Sequence, residues 1–372
     1  MRIGIDATAL YGRYGGVEYA LWNLLNALSR EDQTNQYCVY IPGDGPPQRL
    51  LKSFPSRWRW VRLPFRGTQK LRRIFWQQQI LPAQLARDKC DALHSPTYVC
   101  PLRARLPIVL TVYDVIALSH PQFATSLNRA HFRFLLPQSI ARAERIIAPS
   151  QAVEDEIQTR FPQTKARTHT IPLGLEPIFF HEGSTPSGQE VRARYDLPDK
   201  YLLYVGNFEP KKNLENLLRA LELIPDAPPL VIAGGMRAWP EYDIQNTPRT
   251  RLLGYVARRD LPAIYAGCRA FVFPSLAEGF GLPVLEALAC GAAVVTSREV
   301  PLPNLQEVAS FCDPCDPNSI ATRIEETLAD SKCEEKINSR RDEKINSRRE
   351  YARPFTWQNA ACKTLEIYQE IG

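Results

Sequence analysis

The segment FVFPSLAEGFGLPVLEALACGAAVVTS, residues 271–297, decides the fold. Its first residues close an apolar run, 269–273, that reads as a strand covered on both faces. A loop with Gly279 and Gly281 follows, and glycine lets a backbone approach a ligand closely. Pro283 suits the first turn of a helix. The helix runs through VLEALAC and ends near Gly291, and a second apolar strand, 293–296, comes next. A glycine loop that opens a helix after a strand offers N–H groups and a positive dipole end to a diphosphate. Glu278 stands just before this helix. Glu286 lies inside it and can accept two hydrogen bonds from vicinal hydroxyls, as the acidic ribose binders of dinucleotide folds do.

The same alternation extends outward. Candidate strands are 3–7, 37–41, 90–94, 108–112, 145–148 and 168–171 in the first half. The second half offers 201–205, 229–233, 250–253, 269–273, 293–296 and 310–312. Helix patterns between short apolar runs imply two parallel sheets wrapped in helices. With 372 residues the chain is too long for one compact core. The polar stretch HEGSTPSGQE, just past residue 180, has no apolar periodicity and divides the chain into domains at 1–180 and 190–352. Ligands of open parallel sheets bind beyond the carboxyl ends of the strands, so a cleft between the two domains is the default site.

Composition narrows the class. Hydrophobic residues make up 44%, ordinary for a globular protein. No apolar run approaches the ~18–20 residues of a membrane span. The opening MRIGIDATAL enters a strand pattern without a signal-peptide layout, which predicts a cytoplasmic protein, or one bound peripherally to the inner membrane face. Nine cysteines, an odd number, are scattered along the chain and read as reduced thiols. Cys312 and Cys315 form a C-x-x-C that lacks the second pair of a zinc ribbon. Net charge is +6 but unevenly placed: Gly45 to Arg87 holds no Asp or Glu. Arg49, Lys52, Arg57, Arg59, Arg62, Arg66, Lys70, Arg72 and Arg73 alternate there with Trp58, Trp60, Phe65, Phe75 and Trp76. Such a mixture suits an anionic membrane reached through 49–76, a phosphate-bearing acceptor, or a solvated face over core aromatics. No nucleic-acid module accompanies it. EKINSRR occurs at 335–341 and again at 343–349. Ile337 and Ile345 fall on one face of what reads as a solvent-exposed helix lengthened by duplication.

Further constellations sit at strand ends. In YVGNFEPKKN, 204–213, Gly206 and Asn207 turn the chain and Lys211 and Lys212 precede a helix pattern. Lysine there supplies charge to neutralise a departing diphosphate. In LYGRYGGV, 10–17, Gly15 and Gly16 precede the helix pattern VEYALWNLLNAL. In TVYDVIALSHP, 111–121, Tyr113 and Asp114 follow a strand, and His120 lies six residues beyond Asp114. His94 ends another strand, in DALHSP.

The E-x7-E pattern of 278–286 within PSLAEGFGLPVLEALACGAAVVTS, 274–297, resembles the hallmark of GT4-type retaining glycosyltransferases (group 1), in particular their bacterial cell-surface polysaccharide branch. The resemblance implies an α/β GT-B fold: two Rossmann-like doubly wound parallel-sheet domains facing an interdomain cleft. The first would bind the acceptor and be completed by the closing helix, 355–372. The second would bind the nucleotide sugar. It further implies that Glu278 contacts the donor sugar, Glu286 the ribose and Lys212 the diphosphate. Gly279, Phe280, Gly281 and Leu282 would line the donor. Gly15 and Gly16 would face the diphosphate, and the backbone of Tyr255 and Val256 in LGYV, 253–256, would hold the base. Asp114 binds the acceptor or accepts its proton, with His94, Tyr113 and His120 on the acceptor side. Two departures stand out. Relatives often carry an arginine where this chain has Asn207, and a histidine where it has Tyr113. The expected reaction moves a hexose, mannose or glucose, from a UDP- or GDP-linked sugar to a saccharide or lipid-linked acceptor, with retention. No cofactor is expected beyond the nucleotide sugar. No D-x-D triplet exists for a metal clamp, so no metal is expected either. The alternatives are a non-catalytic nucleotide-sugar-binding partner and a sugar-nucleotide 2-epimerase.

Overall fold

The computed structural model describes residues 1–12, 15–123, 126–180, 186–235, 247–335 and 338–372. Two compact units form: Met1–Gly174 with Phe355–Gly372, and Leu175–Pro354. The chain thus leaves the first unit at Gly174, ahead of the polar stretch past 180, of which 181–185 lie outside the described residues. Leu175 and Phe179 are buried apolar side chains of the second unit, and Phe179 packs edge-on to Tyr265.

The first unit is a seven-stranded parallel sheet. Its strands are β1 Arg2–Asp6, β2 Gln36–Ile41, β3 Trp58–Arg62, β4 Ala92–Ser95, β5 Ile108–Thr111, β6 Arg145–Ala148 and β7 Thr168–Thr170. Their order is β3-β2-β1-β4-β5-β6-β7. Alternate residues feed two cores. Ile3, Ile5, Tyr37, Val39 and Ile41 pack with the Gly16–Glu31 helix and the closing Trp357–Gln369 helix. Cys38, Tyr40, Leu93, Leu110 and Ile146 pack on the other face. A sheet covered on both faces explains why its strands read as apolar runs rather than as strict alternation.

The second unit is a six-stranded parallel sheet of β8 Leu202–Val205, β9 Leu230–Ala233, β10 Thr250–Gly254, β11 Ala270–Phe273, β12 Val294–Ser297 and β13 Ser310–Cys312. Its order is β10-β9-β8-β11-β12-β13. In both sheets the strand order reverses beside the first strand, which is the doubly wound pattern. Between the ends of β8 and β9 the backbone is so close that a Cβ on Gly234, at φ +145°, would lie 1.9 Å from the Gly206 carbonyl oxygen.

Two expectations need correction, and one further element was not anticipated. Strand β3 falls inside the basic aromatic stretch, which had been read for its chemistry instead of as a strand. Trp58 stacks on Tyr37 with ring centroids 4.0 Å apart, and Phe65 and Trp76 are buried. Arg57 donates to the Ser29 carbonyl and Arg59 pairs with Asp88. The large apolar side chains of 49–76 that are exposed are Leu50, Leu71 and Phe75. Next, the helix expected to be solvent-exposed is partly packed. Ile345 of the Asn338–Ala352 helix lies against Gly291, and Arg348 donates to the Gly291 carbonyl at 3.2 Å. Ile337 lies outside the described residues. Finally, the segment Trp76–Ile80 is a π-helical turn, and Gln77 within it donates 2.6 Å to the buried carboxylate of Asp6 at the end of β1. Neither signal was readable locally.

Among the described residues no helix is long and apolar enough to cross a membrane, and the eight cysteines with described side chains are free. The closing helix is locked by Gly174, where an added Cβ would lie 2.1 Å from the Trp357 backbone nitrogen. Gly174→Ala therefore forces the Thr356–Trp357 backbone away from the core, at a cost of about 3 kcal/mol. Differential scanning fluorimetry is expected to show a melting temperature lower by roughly 5–10 °C. A change under about 1 °C would contradict this packing.

Candidate functional site

In the second unit β8 and β11 are adjacent and parallel. The segments that leave their carboxyl ends, 206–213 and 274–282, therefore meet at the switch point of the sheet, where such folds place their ligands. Both are tied to one another by backbone. Leu276 N–H donates 2.7 Å to the Lys211 carbonyl. Asn213 adopts the left-handed conformation, φ 60°. Its side-chain amide donates to the carbonyls of Pro274, at 2.9 Å, and Pro314, at 2.6 Å. This clamp sets the short 3₁₀ turn Pro210–Lys212 against the loop before the next helix.

The clamp brings two of the predicted residues into contact. Lys212 Nζ lies 2.5 Å from Glu278 Oε1, with both side chains largely removed from solvent. The ammonium also sits 5.0 Å from the centre of the Phe273 ring. The Ser275 hydroxyl is 2.7 Å from Glu278 Oε1 and 2.9 Å from the Lys211 carbonyl. Burial raises the Glu278 pKa. The charges of Lys212 and Lys211, with bonds from Lys212 and Ser275, outweigh burial and hold the carboxyl below its ordinary 4.5. Glu278 is thus a fixed anion beside two cations.

The helix that follows, Leu282–Ala289, starts from Gly281 at φ +97°. A Cβ there would meet Val300 Cγ1 at 2.5 Å, so both the conformation and the space require glycine. No side chain caps this end. Val284 through Ala289 are all buried, which fixes the helix start rigidly at the switch point. Gly279 and Phe280 are buried in the loop and Leu282 is half-buried. Gly206 and Asn207 form the turn after β8, and the Asn207 carbonyl lies 3.4 Å from the Tyr204 hydroxyl.

Glu286 lies one turn into the helix, 3% exposed. Its Oε1 accepts from Arg258 Nη2 at 2.5 Å and its Oε2 from the Tyr265 hydroxyl at 2.9 Å. Arg258 also donates from Nε to Glu176 Oε2 at 2.7 Å and lies 4.5 Å from the Phe179 ring centre. Burial, then the charge of Glu286, push the Tyr265 phenol well above its ordinary value, so it remains a donor. Gly254 ends β10 at φ +65°, followed by the exposed Tyr255 and the buried Val256. Arg258, Tyr265 and Ser275 were missed in the sequence. Arg258 reads there as part of a charge run, and Tyr265 as one more apolar position on a helix.

The first-unit residues are placed differently. Gly15 is the N-terminal cap of the Gly16–Glu31 helix and has no side-chain capping bond. The loop residues 13–14 lie outside the described residues. Glu18, in the first turn, accepts from Gly12 N–H at 2.5 Å. Asp114 follows β5 and is half-buried, accepting from the Tyr98 hydroxyl at 2.9 Å and the Ile116 N–H at 3.1 Å. His94 is not poised for an acceptor. It is 1% exposed, with Nδ1 2.6 Å from the Tyr368 hydroxyl and Nε2 2.9 Å from the Thr111 hydroxyl. Burial pushes its pKa down to about 3, so the ring is a neutral tie to the closing helix. Tyr113 is likewise a core residue, edge-on to Tyr98. His120 stacks on Phe123 at 5.8 Å, and its buried Nδ1 has no hydrogen-bond partner among the described residues.

Residues 189–344 match the family model of group 1 glycosyl transferases, and residues 14–178 match that of glycosyltransferase family 4. The chain is 32% identical over 298 residues to O-antigen chain mannosyltransferase B of Escherichia coli, covering 76% of this chain and 75% of that protein. It is 31% identical over 301 residues to the E. coli serotype-specific mannosyltransferase WbdA, covering 75% of this chain but only 36% of that longer protein. The fold matches sucrose-phosphate synthase from Thermosynechococcus elongatus with a TM-score of 0.76 at 19% identity, over 100% of this chain and 98% of that one. It matches Anabaena HepE, solved in complex with UDP and glucose, with a TM-score of 0.72 at 20% identity over the full length of both chains. Two doubly wound parallel sheets, and a relative at 32% identity over most of both chains, place the protein among the glycosyltransferases of GT-B fold: the chain belongs to glycosyltransferase family 4, group 1.

Proposed function

We propose that the protein transfers a hexose, with mannose favoured, from a nucleoside-diphosphate sugar to a saccharide or lipid-linked acceptor during surface-polysaccharide assembly. The second unit takes the donor and the first the acceptor. The observation that carries this reading is the Lys212–Glu278 pair, fixed at the uncapped start of the Leu282–Ala289 helix. A phosphate leaving an anomeric carbon gains charge, and a positioned ammonium with a helix N-terminus stabilises that charge most where it develops. Likeness to the O-antigen mannosyltransferases favours mannose and a saccharide acceptor. HepE, a chain of the same fold, was solved in complex with UDP and glucose, which supports a nucleotide-sugar donor.

In this reading Glu278 faces the donor hexose and Glu286 accepts from the ribose hydroxyls. The backbone at Tyr255 and Val256 holds the base. Lys211, Lys212 and the helix start supply the positive charge that a metal clamp supplies elsewhere, so transfer is metal-independent. With no covalent nucleophile assigned, retention follows a same-face route in which the departing phosphate helps deprotonate the acceptor hydroxyl; Asp114 is the acceptor-side carboxylate of the first unit.

The protein acts in the cytoplasm, in peripheral contact with an anionic membrane. Between Gly45 and Ala143 there are sixteen Lys or Arg against three acids, Asp88, Asp91 and Asp114. The Lys70–Phe75 helix displays Leu71, 72% exposed, and Phe75, 61% exposed, within this basic stretch. Apolar side chains among cations suit an anionic lipid surface.

Three measurements check the proposal. Lys212→Ala is expected to lower kcat by about 10²–10³ while changing the donor KM far less, because the ammonium acts on charge that grows in the transition state. A pure KM effect would make Lys212 a ground-state binder and contradict the assignment. EDTA is expected to leave turnover intact, and loss of activity restored by a divalent ion would overturn the metal-free route. For stability, a carboxyl held below 4.5 in the folded state stabilises the protein above that pH, and the benefit is lost as pH falls through the folded value. The stability difference between wild type and Glu278→Gln is therefore expected to be full at pH 7 and to shrink as pH falls below 4.5. A difference independent of pH would mean that Glu278 acts through packing alone.

A further inference from the structure

The second-unit site contains a cation that the reaction chemistry has not yet used. Arg258 begins the turn Arg258–Asp260, directly after the loop at Gly254–Ala257. Its guanidinium bridges two carboxylates, with Nε 2.7 Å from Glu176 and Nη2 2.5 Å from Glu286. The Phe179 ring lies against it at 4.5 Å. Among the described residues, Arg258 is the sole cation in ion-pair contact with Glu286, which is all but removed from water. A buried carboxylate in that position needs a paired cation, and the guanidinium holds it in place.

The bonding count is specific. A carboxylate offers about four lone-pair sites, two on each oxygen. Arg258 occupies one on Oε1 and Tyr265 one on Oε2. Among the described residues no other side chain bonds this carboxylate, which leaves one site on each oxygen, the number that two vicinal hydroxyls require. Both donors are themselves fixed. Arg258 is held by its second carboxylate and the aromatic ring, and Tyr265 is a fully buried phenol. A planar guanidinium can bridge two carboxylates in one orientation, whereas an ammonium provides charge without that geometry.

We propose that Arg258 is the positioning residue of the nucleoside subsite: it sets affinity for the donor's ribose by holding the Glu286 carboxylate in the orientation that meets the two hydroxyls. This rests on the reading of Glu286 as the ribose acceptor. It adds that the selectivity for a ribose over a deoxyribose resides in a pair, Arg258 and Glu286, and not in the glutamate alone.

The test is isothermal titration of the full-length protein with UDP and GDP, followed by the 2′,3′-dideoxy analogue of whichever binds more tightly. In Arg258→Met the ribonucleotide is expected to bind about tenfold more weakly, while the dideoxy analogue binds as it does to wild type. Arg258→Lys keeps the charge and gives up the bridge, so its loss is expected to be smaller, about threefold, and again confined to the ribonucleotide. Should Arg258→Met fail to fold, the lysine variant alone carries the comparison. Equal weakening of both nucleotides would show that Arg258 merely supports the fold, and overturn the proposal. Unchanged ribonucleotide binding would overturn it too. Glu286→Gln separates the two layers. If that variant binds the ribonucleotide like wild type, the ribose reading itself is wrong. If it loses the ribose preference while Arg258→Met retains it, only the role of Arg258 falls.

Discussion

The pairing of β8 with β11 is the constraint on which the second unit's site depends. These strands are far apart in sequence, but at the point where the strand order reverses they lie side by side and run the same way. Whatever leaves their carboxyl ends must share one crevice. That is how a lysine from one loop reaches a glutamate from another at 2.5 Å, and why the intervening backbone is so intolerant. Gly281 at φ +97° and Gly234 at φ +145° each sit where a side chain would strike a neighbour. Asn213 ties both loops together through its amide. The ion pair is thus a consequence of topology and costs little additional ordering, because both loops are already held.

The site divides into two electrostatic sets with different tasks. Around Glu278, two lysines and a hydroxyl keep an anion ionised beside an uncapped helix start. Around Glu286, a guanidinium shared with Glu176 and a buried phenol fix another anion one turn deeper. On the proposed function, the first set would meet a demand that changes during reaction, the charge on a departing phosphate. The second would meet one that does not change, the recognition of hydroxyls. Lysine in the first and arginine in the second follow the chemistry of the two cations, a mobile point charge and a rigid fork.

Much of the fold was legible because its strands are buried on both faces, and such strands announce themselves as short apolar runs. The strand at Trp58–Arg62 escaped because it alternates tryptophan with arginine, a pattern that also suits a lipid-facing surface. Only the partners decide between the two: Tyr37 beneath Trp58, and Asp88 beside Arg59. Within the site, Lys212, Glu278 and Glu286 were legible because the glycine loops around them carry local signals. Arg258 was not, since nothing near the run RRD indicates that one of its arginines reaches a helix 28 positions on. His94 shows the opposite failure. Its place at a strand end suggested function, but its partner Tyr368 lies 274 positions away, and that bond turns a candidate ligand into a core tie. Local sequence reports backbone requirements well and reports long-range pairing of side chains poorly.

The central claim is that one nucleoside diphosphate spans both electrostatic sets of the second unit. A crystal structure of the full-length protein with bound UDP or GDP tests it most directly. The account predicts terminal-phosphate oxygens within hydrogen-bond distance of Lys212 Nζ and of backbone N–H groups in the 279–282 loop that leads into the Leu282–Ala289 helix, with both ribose hydroxyls on Glu286. A nucleotide bound with its phosphates away from Lys212, or with its ribose out of reach of Glu286, would contradict it.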